Sequence, residues 1–154
     1  MSNLGFTKKD NYTRCMNSAL YSLAMREHSR FEIYNKLCKK DYVEGVDLQA
    51  LLDKLEEKNN INEERFTEIF VRYRVSRGQG PVKIKSELRR KGVSYSLISQ
   101  VMQDAEADWF DLATQQLEKK FGRTKPEDFK EKAKRMRFLS ARGFDAEVVR
   151  AVVG

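Results

Sequence analysis

The sequence is poor in the residues that most often carry chemistry. It holds one histidine, His28, and two cysteines, Cys15 and Cys38. Two cysteines cannot staple a disulfide framework, so a reducing cytoplasm is the expected home. The spacing of Cys15, His28 and Cys38 matches no zinc-ligand pattern, and no metal or other cofactor is expected. The sequence contains no GxxxxGK[ST] loop, no GxGxxG and no GxSxG. These absences weigh against an enzyme of any class. Strand signals are scarce as well: no stretch alternates cleanly over six residues, and no Asn-Gly hairpin pair occurs. No apolar run approaches the roughly 18–20 residues of a membrane span. Met1 to Tyr12 shows no signal-peptide pattern, so no membrane partner is expected.

What remains is helical and charged. Apolar residues make up 40% of 154, with nine Phe, six Tyr and one Trp, which is too rich for a disordered chain. Charged residues make up 34%, and 30 Lys and Arg against 23 Asp and Glu leave a net charge of +7. That excess points to an acidic partner, a nucleic acid or an acidic protein surface.

The chain also repeats itself. A shift of 51 residues brings Leu37 onto Leu88, and a second shift brings Leu88 onto Leu139. Apolar columns follow at Phe31/Val82/Ala133, Tyr42/Val93/Phe144, Val46/Leu97/Val148, Ala50/Val101/Val152 and Leu51/Met102/Val153. At 40% apolar content, a random column is apolar in all three copies only about 6% of the time. Lys40, Lys91 and Arg142 form a basic column, followed by Asp41, Gly92 and Gly143. Basic residues and then glycine suit a helix C-terminus, where carbonyls are exposed and the backbone turns left-handed. Asp41 is a poorer cap, so the first copy has diverged or carries a longer turn. One column breaks the pattern, because Ile33 and Ile84 meet Arg135.

Each copy reads as three helices. In the second, Phe66, Ile69, Phe70 and Tyr73 recur at helical spacing and predict a buried stripe. Asn62 is its N-cap, Gly78-Gln79-Gly80 ends it, and Pro81 opens the next helix. That helix buries Ile84 and Leu88, and Ser94 caps a third one. In the first copy, helices are expected near Tyr12–Arg26, from a Ser29–Glu32 capping box, and over about Val46–Lys58. In the last copy they are expected from Trp109, near Glu127–Arg142, and over Asp145–Val153. The expected fold is all-α: three tandem three-helix repeats, about nine helices, in an elongated and curved array. The expected divisions are a tail over 1–11 and repeats over 12–60, 61–104 and 105–154.

Charge is concentrated in the middle copy. Arg72, Arg74, Arg77, Lys83, Lys85, Arg89, Arg90 and Lys91 stand against one acid, Glu87. That window alone equals the net +7 of the whole chain. These eight residues are the candidate protein- or DNA-binding patch. A secondary patch is expected from Lys130, Lys132, Lys134, Arg135, Arg137 and Arg142. Taken singly, each residue fits a solvated helix face equally well. Other features have plainer explanations. His28 has no partner that would make it a base, Cys15 and Cys38 fit small apolar fillers, and Trp109 heads a core stripe. The Gly78-Gln79-Gly80 turn has the form of a phosphate cradle at a helix start, but a plain connection accounts for it.

Several runs resemble one family. They are Glu64-Arg65-Phe66, Phe70-Val71, Arg74, Arg77-Gly78-Gln79-Gly80-Pro81, Ile84, Glu87-Leu88 and Lys91-Gly92-Val93. With Arg26-Glu27-His28-Ser29, Lys119-Lys120-Phe121-Gly122 and Arg142-Gly143-Phe144, this order resembles the RecX regulatory proteins of bacteria from about Arg14 to Val153. The resemblance implies a cytoplasmic, monomeric, non-enzymatic modulator of the RecA recombinase, acting in DNA repair, recombination and the SOS response. Its implied partners are the RecA filament and the single- or double-stranded DNA within it. Binding in the filament groove or at its end would oppose filament extension, ATP hydrolysis, strand exchange and coprotease activity. Two other readings stay open on residues alone: a direct DNA-binding helical regulator without a recombinase partner, and a scaffold repeat with no nucleic-acid role.

Overall fold

The protein is seen in a computed structural model, which describes residues 7–154. Among the described residues there are nine α-helices and no strand. They are α1 (Lys8–Met25), α2 (Arg30–Cys38), α3 (Leu48–Glu57), α4 (Glu63–Ser76), α5 (Pro81–Arg90), α6 (Tyr95–Asp104), α7 (Trp109–Phe121), α8 (Phe129–Ala141) and α9 (Ala146–Val153). The order is three successive groups of three, as the sequence repeat requires.

Local chemistry sets most helix starts. The Ser29 hydroxyl accepts the Glu32 N–H at 3.1 Å, and the Glu32 carboxylate accepts the Ser29 N–H at 3.1 Å, closing the expected capping box. Asn62 accepts the Arg65 N–H at 2.8 Å, and Ser94 accepts that of Leu97 at 3.3 Å. α1 begins at Lys8 rather than near Tyr12, because Thr7 and Asp10 form a second capping box. The expected tail lies outside the described residues over 1–6. The first copy does carry a longer turn. A single 3-10 turn, Asp41–Val43, and Gly45 at φ +77° separate α2 from α3.

The described residues fall into two compact units. One runs to Thr67 and takes in Lys91–Val93; the other comprises Glu68–Arg90 and Ser94–Gly154. The first unit buries Cys15, Ala19, Ile33, Leu37, Leu48, Leu51, Leu52, Leu55 and Ile61 in one cluster. In the second, Ala113, Leu117, Leu139, Phe144, Val148, Val149 and Val153 form a cluster with Trp109 packed against it. The columns Leu37/Leu88/Leu139 and Leu51/Met102/Val153 are buried throughout.

Three apolar expectations fail. Phe66 is buried as expected, but Ile69 and Tyr73 are exposed, because α4 turns Thr67 and Val71 inward instead. The Thr67 hydroxyl tolerates that burial by donating to the Glu63 carbonyl at 2.7 Å. Cys38 is exposed at the last residue of α2, one position past the buried Leu37. Phe31 and Val82 are exposed as well, and their column serves a different purpose.

That purpose is docking between copies. Within the first unit, the Ser29 hydroxyl donates to the Lys91 carbonyl at 2.8 Å. A Cβ built on Gly92 would stand 2.7 Å from the Phe31 Cβ. One repeat later, within the second unit, the Gly80 and Val82 N–H groups donate to the Arg142 and Gly143 carbonyls at 2.8 and 2.9 Å. A Cβ on Gly143 would stand 2.4 Å from the Lys83 Cβ. The start of a copy's second helix thus rests on the glycine turn of the next copy. Gly92 and Gly143 hold φ +83° and +98°, so each is needed both for its backbone and for its missing side chain. In the second unit, the same contacts occupy the N–H groups beside Pro81, and the plain-connection reading of Gly78-Gln79-Gly80 holds for the backbone.

Candidate basic binding surface

The eight residues of the middle patch meet different fates. Seven belong to the second unit, whereas Lys91 belongs to the first. There the Lys91 ammonium lies 2.8 Å from Glu32, which also receives Arg26 at 3.3 Å. Burial pushes the Glu32 carboxyl up, but hydrogen bonds from Arg26, Lys91 and the Ser29 N–H outweigh it and hold the group below its ordinary range. Lys91 is therefore half-buried structural charge.

In the second unit, Arg74 pairs with Glu87 at 2.9 Å, its guanidinium 4.8 Å from the centre of the Phe70 ring. Arg89 lies over Tyr95 at 3.9 Å, and Arg90 donates to the Ser86 hydroxyl at 3.0 Å. Both remain exposed. Arg72 is exposed too, but it lines a cavity of about 580 Å³ with Glu68, Asp104, Asp108 and Asp111, among acids rather than bases. Lys83 and Lys85 project from α5 as exposed charge without an ion pair among the described residues.

The secondary patch is also divided. Lys130, Lys134 and Arg137 are exposed and spaced to share one face of α8. Lys132 is half-buried. Arg135 corrects the expectation outright. It is 3% exposed, at the core position that Ile33 and Ile84 occupy in the other copies. Its guanidinium donates to the Thr124 carbonyl and to Glu131, and lies 5.1 Å from the Phe121 ring centre. The break in the repeat is thus one of polarity and not of position.

Arg142 is half-buried and joins the two patches. It donates to the Arg77 carbonyl at 2.6 Å and to the Gln116 side-chain oxygen at 2.9 Å. Arg74, Arg77, Lys119 and Arg142 then line one cavity, together with Gln79 and Gln116. Sequence reasoning missed Lys119 and Gln116, and it held Gln79 only as part of the Gly78-Gln79-Gly80 turn. Lys119 reads as an ordinary last-turn cation of α7, and Gln116 carries no local signal.

Elsewhere, His28 is buried with Nδ1 3.0 Å from the Arg26 carbonyl. Burial pushes its pKa below the ordinary value, the Arg26 carbonyl opposing. Among the described residues, no group of three or more His, Cys, Asp or Glu is placed to hold a metal ion, and no helix is long and apolar enough to cross a membrane.

Comparison with known proteins decides the family. Family models for the first, second and third three-helix domains of RecX match residues 15–46, 62–102 and 106–153 in that order. The regulatory protein RecX of Halorhodospira halophila is 44% identical over 135 residues, covering 88% of this chain and 83% of that protein. The chain belongs to the RecX family. The RecX of Chromohalobacter salexigens is 40% identical over 87% of each chain. A crystal structure of RecX from Lactobacillus salivarius superposes with a TM-score of 0.75 at 22% identity, over 94% of this chain and 96% of that one. That last likeness concerns the fold. The RecX relatives are named regulatory proteins, a name that specifies no reaction.

Proposed function

We propose that the chain is a negative modulator of the RecA recombinase, acting on the recombinase–DNA filament without catalysing a reaction. The observation that carries this reading is the ordered match of all three RecX domains along one chain. The exposed charge supports it. Lys83, Lys85 and Arg90 on α5, and Lys130, Lys134 and Arg137 on α8, are exposed to an acidic recombinase surface or to DNA phosphate. Binding in the groove or at the filament end would oppose extension and, with it, ATP hydrolysis, strand exchange and coprotease activity. A monomer working in the cytoplasm suits that role.

The test is DNA-dependent ATP hydrolysis by a purified bacterial RecA with this protein titrated in. Inhibition well below the recombinase concentration would favour capping of filament ends. Inhibition only near one-to-one would favour occupancy along the groove. No inhibition by folded protein at any ratio would overturn the proposal. The alternative, a direct DNA-binding regulator, would then be favoured by strong discrimination between unrelated DNA sequences.

A further inference from the structure

We infer that the cavity between the end of α4, α7 and the α8–α9 turn is a binding site for a phosphate group. This goes beyond the proposed function, since it depends on no recombinase. The cavity encloses about 430 Å³, and all of it belongs to the second unit. Four of its lining residues are cations, Arg74, Arg77, Lys119 and Arg142, and none is an acid. Glu87 compensates Arg74 from outside the lining, but Arg77, Lys119 and Arg142 make no ion pair among the described residues, so an anion is the occupant that relieves their mutual repulsion.

The site is held in shape by bonds of its own. Arg142 is fixed by the Arg77 carbonyl and by Gln116. Gln116 in turn lies against Gly78, where a Cβ would come within 2.2 Å of its amide nitrogen. Arg74 is fixed by Glu87 and by the Phe70 ring. Yet three buried atoms of the lining residues lack a hydrogen-bond partner among the described residues: Arg74 Nε, Arg142 Nε and Gln79 Oε1. Buried donors are seldom left unsatisfied. These atoms are covered from solvent, so a phosphate would reach the two Nε–H groups only as the guanidiniums turn toward it, and turning over the Gln79 amide would add a third donor. The walls are mostly polar side chains, which argues against an apolar ligand. Tyr73 at the rim is exposed and offers a ring face to a base attached to that phosphate.

Two sources can supply the phosphate, a nucleic-acid backbone or a free nucleotide, and the test separates them. Labelled single-stranded oligothymidylate and inorganic pyrophosphate would each be titrated into the full chain, with the Arg Nε–H resonances followed by NMR. The main variant is Arg77→Gln with Lys119→Gln, both exposed side chains whose removal spares the buried bonds. Its control is Lys9→Gln with Lys54→Gln, which removes the same charge from exposed positions on other helices. The site predicts that the oligonucleotide shifts the Arg74 and Arg142 Nε–H signals. It also predicts that the main variant weakens binding at least tenfold, against less than threefold for the control. The log–log salt slope should become shallower by about 0.7 for each single-strand phosphate that the variant no longer neutralises. Competition by pyrophosphate with the same shifts would assign a free phosphate source; shifts with the oligonucleotide alone would assign a backbone. Equal weakening in main variant and control, or no Nε–H shift with either ligand, would overturn the site. Recombinase inhibition has no bearing on these readouts, and a filled site without inhibition would sink the recombinase reading alone.

Discussion

Substituting glycines should separate backbone strain from the docking of one copy on the next. Gly122, Gly80 and Gly143 form a series. Gly122 has φ +77° and nothing within 4 Å of a built Cβ. Alanine there meets only backbone strain, but ψ is −169°, a region almost confined to glycine at positive φ, so the cost is about 1–3 kcal/mol. Gly80 is the converse. It needs no positive φ, but its Cβ would stand 2.4 Å from the Gly143 carbonyl carbon, a backbone atom that cannot swing aside. Forced backbone shifts of this kind cost about 1–3 kcal/mol. Gly143 combines both, with φ +98° and a Cβ 2.4 Å from the Lys83 Cβ, so Gly143→Ala should cost about 2–4 kcal/mol.

For a chain of this length, each kcal/mol moves Tm by about 2–4 °C. Calorimetry should therefore show a fall of about 2–12 °C for Gly122→Ala and for Gly80→Ala, and about 4–16 °C for Gly143→Ala. The double variant of Gly80 and Gly143 should cost less than the two single changes added, because one backbone shift relieves both clashes. No fall for Gly80→Ala would refute the docking argument, since its φ carries no strain and only the close approach to Gly143 can cost stability. Additivity in the double variant would refute it separately.

Two further outcomes follow from buried polar groups. His28 is held neutral by burial, so as pH falls below about 6.5 the unfolded chain takes up its proton first and stability is lost. Urea unfolding from about pH 7 to pH 5 should show that fall, and His28→Gln should flatten it; an unchanged slope would exclude His28 as its source. Arg135→Ala should cost about 2–3 kcal/mol, since Thr124 and Glu131 are left without a charged partner. Arg135→Met should recover most of that stability by restoring the apolar column of Ile33 and Ile84, and equal urea midpoints for the two variants would contradict this account.

The repeat was legible because each copy must bury the same positions. Leu37, Leu88 and Leu139 are all fully buried, and the caps at Ser29, Asn62 and Ser94 make the bonds their spacing predicts. The buried face of α4 was not legible. Its sequence carries apolar residues on more than one side, and which side faces inward depends on Thr67 meeting its hydrogen bond locally. The role of the Phe31/Val82 column escaped for a related reason: an apolar column signals packing, but not whether it is against the core or against a neighbouring copy. The cationic cavity was illegible in principle. Lys119, Gln79 and Gln116 join Arg74 and Arg142 only after folding brings α4, α7 and the α8–α9 turn together.

Repetition also tells apart the basic residues that serve the fold from those left for a partner. Lys91 and Arg142 occupy the same column, just before the docking glycine. Each reaches back to the preceding copy, Lys91 to Glu32 in the first unit and Arg142 to the Arg77 carbonyl in the second. A cation at that column is explained by the copy before it, which holds its exposed carbonyl or carboxylate. In the first copy the column holds Lys40 and Asp41, where the chain makes a longer 3-10 turn instead of a tight glycine turn. Some charges off the column are used internally too, Arg65 on Glu27 of the preceding copy at 2.6 Å and Arg135 in the core. Lys83, Lys85, Lys130, Lys134 and Arg137 make no such bond to a preceding copy, so a count of clustered Lys and Arg overstates the partner-facing surface by its repeated members. The functional charge is better sought where the copies differ than where they agree.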